Sequence, residues 1–248
     1  MDLHHQFHLC VGLVCSKETH SKVKRNPMYE RLRNALSPNA WFRARSAPLA
    51  EWAQAHALSF TPMMGGAYLL AGHWQGRPVR IQCLAPSRPF IQGMELMARA
   101  DLGLRPDGNV VVMNRALKEV LEVQSRALYS QYTDELRTMA GVVPDEVRWL
   151  SMYRDAGWVG PDERFWGRYA ALTDAPEVAR RWIDSESEQR LMAWPDAVSA
   201  ATPMMFMLQR GKTYMRLQID NTRDMTTAVH ALGLFHLLSQ RALAKAAG

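Results

Sequence analysis

The stretch from Gly93 to Leu128 limits what this chain can fold into more than any other. In Glu95 to Leu102, the apolar residues Leu96, Ala98, Ala100 and Leu102 alternate with Glu95, Arg99 and Asp101, which is the period of a half-buried strand. Arg105-Pro106-Asp107-Gly108 carries turn chemistry, and Asn109 to Met113 is a second, more apolar strand. Asn114 is placed to cap a helix whose Leu117, Val120, Leu121 and Leu128 share a face. Strand, turn, strand, helix describes a fold and names no reaction.

The flanking segments extend this pattern. Ser46 is placed to cap a helix with Pro48 in its first turn and Leu49, Trp52, Ala53 and His56 on one face. Ala67–Trp74 and Val79–Leu84 flank Gln75-Gly76-Arg77-Pro78 as a hairpin, with Val79, Ile81 and Cys83 inward and Arg80 and Gln82 outward. Asp145–Met152 has the pattern of a short helix, and Phe165–Leu172 the aromatic content of a strand. Asp174 is placed to cap a helix through Trp182, and another helix is expected over Glu186–Trp194. Met204–Gln209 and Thr213–Ile219 form a second hairpin about Arg210-Gly211-Lys212, followed by a long helix over Asp224–Ala246. The expected class is α+β: antiparallel hairpins forming a sheet covered by helices, the long C-terminal helix among them.

Two segments rhyme. Thr61-Pro62-Met63-Met64 precedes a hairpin containing Arg80-Ile81-Gln82, and Thr202-Pro203-Met204-Met205 opens one containing Arg216-Leu217-Gln218. This suggests internal duplication of a hairpin-plus-helix unit, with halves at 46–140 and 141–248. The separations count against it: 18 residues from Pro62 to Arg80, but 13 from Pro203 to Arg216.

The helix from Pro48, the Gly-centred hairpin with an outward Arg, Phe165-Trp166-Gly167-Arg168-Tyr169 and the Asp174–Trp182 helix together resemble a group of bacterial α+β proteins with no assigned activity. The resemblance spans Pro48 to Leu243. It implies an α+β fold and a bacterial source, and it brings no functional residue with it.

Charge becomes informative once it is located. Residues 1–45 hold eight Lys and Arg against three Asp and Glu, so five of the chain's six net positive charges belong to a basic, His-rich N-terminal arm. That arm is expected to be partly disordered, and residues 46–248 to form a single α+β domain. Cys10, Cys15 and Cys83 do not make a disulfide framework, and no apolar run reaches the roughly 20 residues of a membrane span. The setting these features suit is cytoplasmic.

No phosphate-loop, dinucleotide, zinc-protease, EF-hand or nucleophile-elbow motif is present in the sequence. The chain therefore offers weaker constellations. His4, His5, His8, Cys10, Cys15 and His20 match no standard zinc spacing, and neither metal nor cofactor is expected. Arg115 and Lys118 open the central helix, where unpaired N–H groups favour an anion; with Arg80 and Arg216 they form the candidate ligand-binding set. Lys22, Lys24, Arg25, Arg31 and Arg33 could neutralise nucleic-acid phosphates. Asp184, Glu186 and Glu188 suit helix capping better than acid–base work.

Met63, Met64, Met204, Met205 and Met207 would form an adaptable apolar surface if the two hairpins were neighbours. The class that fits first is a non-catalytic, cytoplasmic protein–protein interaction protein or an adaptor or chaperone-like protein, with a homodimer as one form. Two alternatives stay open: a small-molecule or anion pocket between sheet and helices, enzymatic or not, and nucleic-acid association through the arm.

Overall fold

The structure is a computed structural model that describes residues 45–105, 107–132, 144–223 and 225–244, with side chains left out of account at 129–132. A short helix that the sequence pattern also predicts over Met28–Leu36, closed by Ser37-Pro38-Asn39, the basic arm residues Lys22 to Arg33 and the His and Cys residues of the arm all lie outside the described residues.

Helix α1 (Ala47–Ala55) leads into β1 (Leu58–Pro62), β2 (Tyr68–Trp74), β3 (Arg77–Leu84), β4 (Met94–Asp101) and β5 (Val110–Asn114). Then follow α2 (Arg115–Tyr132), α3 (Asp145–Met152), β6 (Arg154–Asp155), α4 (Glu163–Arg168) and β7 (Tyr169–Thr173). The chain continues through α5 (Pro176–Trp182), α6 (Ser185–Met192), β8 (Met204–Gln209), β9 (Lys212–Ile219) and α7 (Thr226–Ala244). All nine strands pair antiparallel in one sheet, ordered β1-β2-β3-β4-β9-β8-β5-β7-β6. The α+β expectation holds, helix-covered sheet and long C-terminal helix included.

The order of strands is decided by long-range pairing. β4 and β5, consecutive in the chain, are separated in the sheet by the β9–β8 hairpin. β5, from the first part of the chain, sits between β8 and β7, so one continuous sheet contains residues from both halves. The rhyming tetrapeptides also part company. Met63 and Met64 lie at a 3₁₀ turn before β2, whereas Met204 and Met205 are the first residues of strand β8.

Both sequence-predicted hairpins turn on two residues with positive φ, as a right-twisted antiparallel pair requires. These are Gln75 (51°) and Gly76 (77°) for β2–β3, and Arg210 (50°) and Gly211 (72°) for β8–β9. Gly211 is further confined, because a Cβ there would stand 2.1 Å from the Leu104 carbonyl oxygen.

One face of the sheet is closed. Leu70, Ile81, Leu96, Ala98, Phe206, Met215 and Leu217 pack there with α1, α4, α5, α6 and α7, including Leu232, Phe235 and Leu238 of α7. Buried residues recur along α7 at helical spacing, from Ala228 to Ala242, which is why this segment is a helix against the sheet. On the other face, α2 and α3 cover only the β8–β5–β7 end, where Val111, Met113, Leu172, Met205 and Met207 meet Leu117, Leu121, Trp149 and Phe90.

Local chemistry changed two expectations. Phe165–Arg168 is helical rather than strand: Asp162 accepts from the Arg164 N–H and opens α4, and β7 starts only at Tyr169. Asp174 does not cap α5. Its carboxylate instead accepts from the Asn109 backbone N–H (2.6 Å) and side-chain amide (2.8 Å), fastening the entry to β5.

Candidate functional site on the open sheet face

Alternation along β3, β4 and β9 sends Arg80 and Gln82, Glu95, Met97, Arg99 and Asp101, and Lys212, Tyr214 and Arg216 to the face that α2 and α3 leave open. Strand register arranges them in rows. Arg80 stands opposite Arg99, Arg99 opposite Tyr214, and Tyr214 opposite Met207. In the next row, Gln82 is opposite Met97, Met97 opposite Arg216, and Arg216 opposite Met205. All the residues of these two rows but Met205 line a trough of about 380 Å³ across β3, β4, β9 and β8.

The charges on this face are not evenly matched. Glu95 is fully buried; its carboxylate takes an ion pair from Arg216 and the Ser87 backbone N–H at 2.6 Å. Arg216 also donates to the Ser87 hydroxyl at 2.9 Å, so Arg216 and Glu95 clamp the β3–β4 loop onto the sheet. Arg88 extends that clamp to buried Glu146 of α3 at 2.5 Å. Asp101 pairs with Lys212 at 2.7 Å, and this contact holds its carboxyl below the ordinary range.

Both acids of these three strands on this face thus have their own cations. Arg80 and Arg99 remain, directly opposite one another and both exposed. Among the described residues, the polar atoms of Arg80 reach only the Gln82 side-chain oxygen, at 3.3 Å. Arg99 reaches Asp101 at a loose 3.8 Å and lies 5.8 Å over the Tyr214 ring, within cation–π range. Like charges directly opposite across strands destabilise a sheet, and here no carboxylate is interposed.

No protein-family model matches the sequence, and no curated protein matches it. A solved structure is similar. It is the crystal structure of the mycobacterial trehalose monomycolate transport factor A, TtfA, which aligns with 82% of this chain and 94% of its own at 12% identity and a TM-score of 0.44. A likeness at that distance transfers no residue and no activity.

The sequence-predicted site residues divide among several places. Arg80 and Arg216 do share the trough, but Arg216 serves the Glu95 clamp and Arg80 does not. Arg115 and Lys118 are elsewhere, at the start of α2. Asp155 lies 3.6 Å from Arg115 and 3.7 Å from Lys118, and Lys118 also pairs with Glu122 at 2.6 Å. The four cations therefore do not build one ligand site; an internal carboxylate meets the second pair.

The methionine set is corrected in the same way. Met63 and Met64 are exposed, 48% and 91%, while Met204, Met205 and Met207 are buried, and β4 and β9 separate β3 from β8. The five form no common exposed surface: β8 is an interior strand with Met204 and Met205 packed on opposite faces, and Met207 keeps only 6% exposure at the edge of the trough. Asp184 caps α6 through the Ser187 N–H, and Glu186 pairs with Arg241, consistent with structural roles for that acidic cluster.

Arg99 and Tyr214 were missed by the sequence reading. Their signal was present in the alternation, since both fall on the outward parity of their strands, but only register places them beside Arg80.

Three groups with raised pKa lie on the closed face. Burial pushes the Cys83 thiol up to about 11 and the Tyr169 phenol to about 12, and raises Tyr68, the cross-strand partner of Cys83. Cys83 is therefore a protonated core thiol at neutral pH and a poor nucleophile. Among the described residues no group of three or more His, Cys, Asp or Glu is placed to hold a metal, and no helix is long and apolar enough to cross a membrane.

Proposed function

We propose that this is a non-catalytic, cytoplasmic binding protein of the adaptor type whose working surface is the open face of β3, β4 and β9. The observation that supports this reading is the Arg80–Arg99 pair: two exposed guanidinium groups held in register while every carboxylate on the face is matched to another cation. Such a pair costs stability in the free protein and is relieved when an anionic group settles between the two forks. Gln82, Met97 and Tyr214 surround it with half-exposed polar and adaptable apolar surface, the mixture that a protein interface presents.

Photo-crosslinking in cells tests this directly. A photoreactive amino acid replacing Gln82 is expected to give a discrete adduct with another protein. One replacing Glu177, exposed on α5, is expected to give none of the same mass. The adduct should fade in Arg80→Gln and Arg99→Gln proteins. No protein adduct at position 82, or an adduct indifferent to both substitutions, contradicts the proposal.

A further inference from the structure

The trough has a polarity along its length. Its β3–β4 end carries Arg80 and Arg99, and its β9–β8 end is floored by Tyr214 and Met207. Strands lie about 4.8 Å apart, so the centre of the arginine pair is roughly 10 Å from the centre of the Tyr214–Met207 pair. The geometry points to an acidic segment of a partner polypeptide, lying across the strands, that sets a carboxylate on Arg80 and Arg99 and an apolar or aromatic side chain on Tyr214 and Met207. This rests on the reading above that the open face is a binding surface.

Charge selects the occupant. Arg80 and Arg99 leave two positive charges in excess on this face, enough for one or two carboxylates held by guanidinium forks. Duplex nucleic acid carries a negative charge about every 1.7 Å and would need a far longer cationic track. Single strands would call for several stacking rings, and the trough offers one, Tyr214. Depth argues against a small amphiphile. Ligand pockets bury roughly 70–90% of their ligand, whereas the arginine end here stands exposed on the sheet surface.

The span also restricts the segment. A polyproline II chain rises about 3.1 Å per residue and turns every three, bringing residues i and i+3 to one side at roughly 9 Å. A helix brings i and i+7 to one side at roughly 10 Å. A flat strand puts its same-side residues at about 6.6 or 13 Å, short of the span or past it. The segment therefore pairs an acid with an apolar residue three positions away in an extended proline-rich stretch, or seven away in a helix.

Fluorescence anisotropy with the full chain and short labelled peptides tests this. The peptides carry a glutamate pair and a phenylalanine at either spacing, each with a glutamine counterpart; dodecanoate, inorganic phosphate and a single-stranded oligonucleotide serve as competing probes. At least one acidic peptide should bind, with its glutamine counterpart about tenfold weaker, and Arg80→Gln and Arg99→Gln should each weaken it about tenfold. Equal binding of acidic and glutamine peptides, binding indifferent to both substitutions, or binding of only dodecanoate, phosphate or oligonucleotide would overturn the assignment. So would no peptide binding at all. The position-82 crosslink on the same proteins separates the two levels: a protein adduct with no acid-selective peptide removes the acidic segment and leaves the binding face, whereas no adduct removes both.

Discussion

At the scale of single residues, Arg216 and Arg80 show how one side-chain type takes opposite roles on one face. Arg216 answers a carboxylate that is fully buried, so removing it strands a charge away from water. Arg216→Ala should therefore destabilise the protein by about 3–5 kcal/mol in urea unfolding, and Arg216→Ala with Glu95→Gln by less. Equal losses for the two proteins would show that the pair is not coupled. Alternation correctly put Glu95 on the face opposite Leu96, but it did not show that the residue is buried. Its burial comes from the β3–β4 loop, whose Ser87 lies over it, and a loop leaves no periodic trace in a sequence. Arg99 escaped notice for a related reason, since parity gives a face and only register gives a neighbour.

Among the elements, the two hairpins make the same turn under different confinement. Gly76 and Gly211 both have φ above 70°, but a Cβ at Gly76 would meet nothing within 4 Å, whereas at Gly211 it would meet the Leu104 backbone. Gly76→Ala should cost about 1 kcal/mol, the conformational term alone. Gly211→Ala should cost clearly more, and thermal unfolding of the two proteins checks the order. Both hairpins were legible because Gly lies between alternating runs, and α7 was legible because its apolar stripe is long. β1 was not. Its five residues follow directly on α1 and carry one fully buried side chain, Leu58, too little pattern to separate strand from loop. The α4 segment was misread because Phe165, Trp166 and Tyr169 favour strands by type, while the Asp162 cap decided locally for helix.

Over the whole molecule, the sheet sorts its two faces by chemistry. Among the described residues, helices cover one face, and α2 and α3 cover only one end of the other, leaving β3, β4 and β9 to present a cationic trough. That division was not legible in the sequence, because it follows from β9 and β8 entering between β4 and β5, pairings 92 to 125 residues apart in the chain. Arg80 and Arg99 are held together there at a cost to the free protein. The measurement that reaches it most directly is denaturant unfolding of the wild-type chain and Arg80→Thr at low and at high salt. The substitution should stabilise the protein by about 0.5 kcal/mol at low ionic strength, and screening should shrink that gain at high salt. A loss of stability, or a gain that does not change with salt, would contradict it.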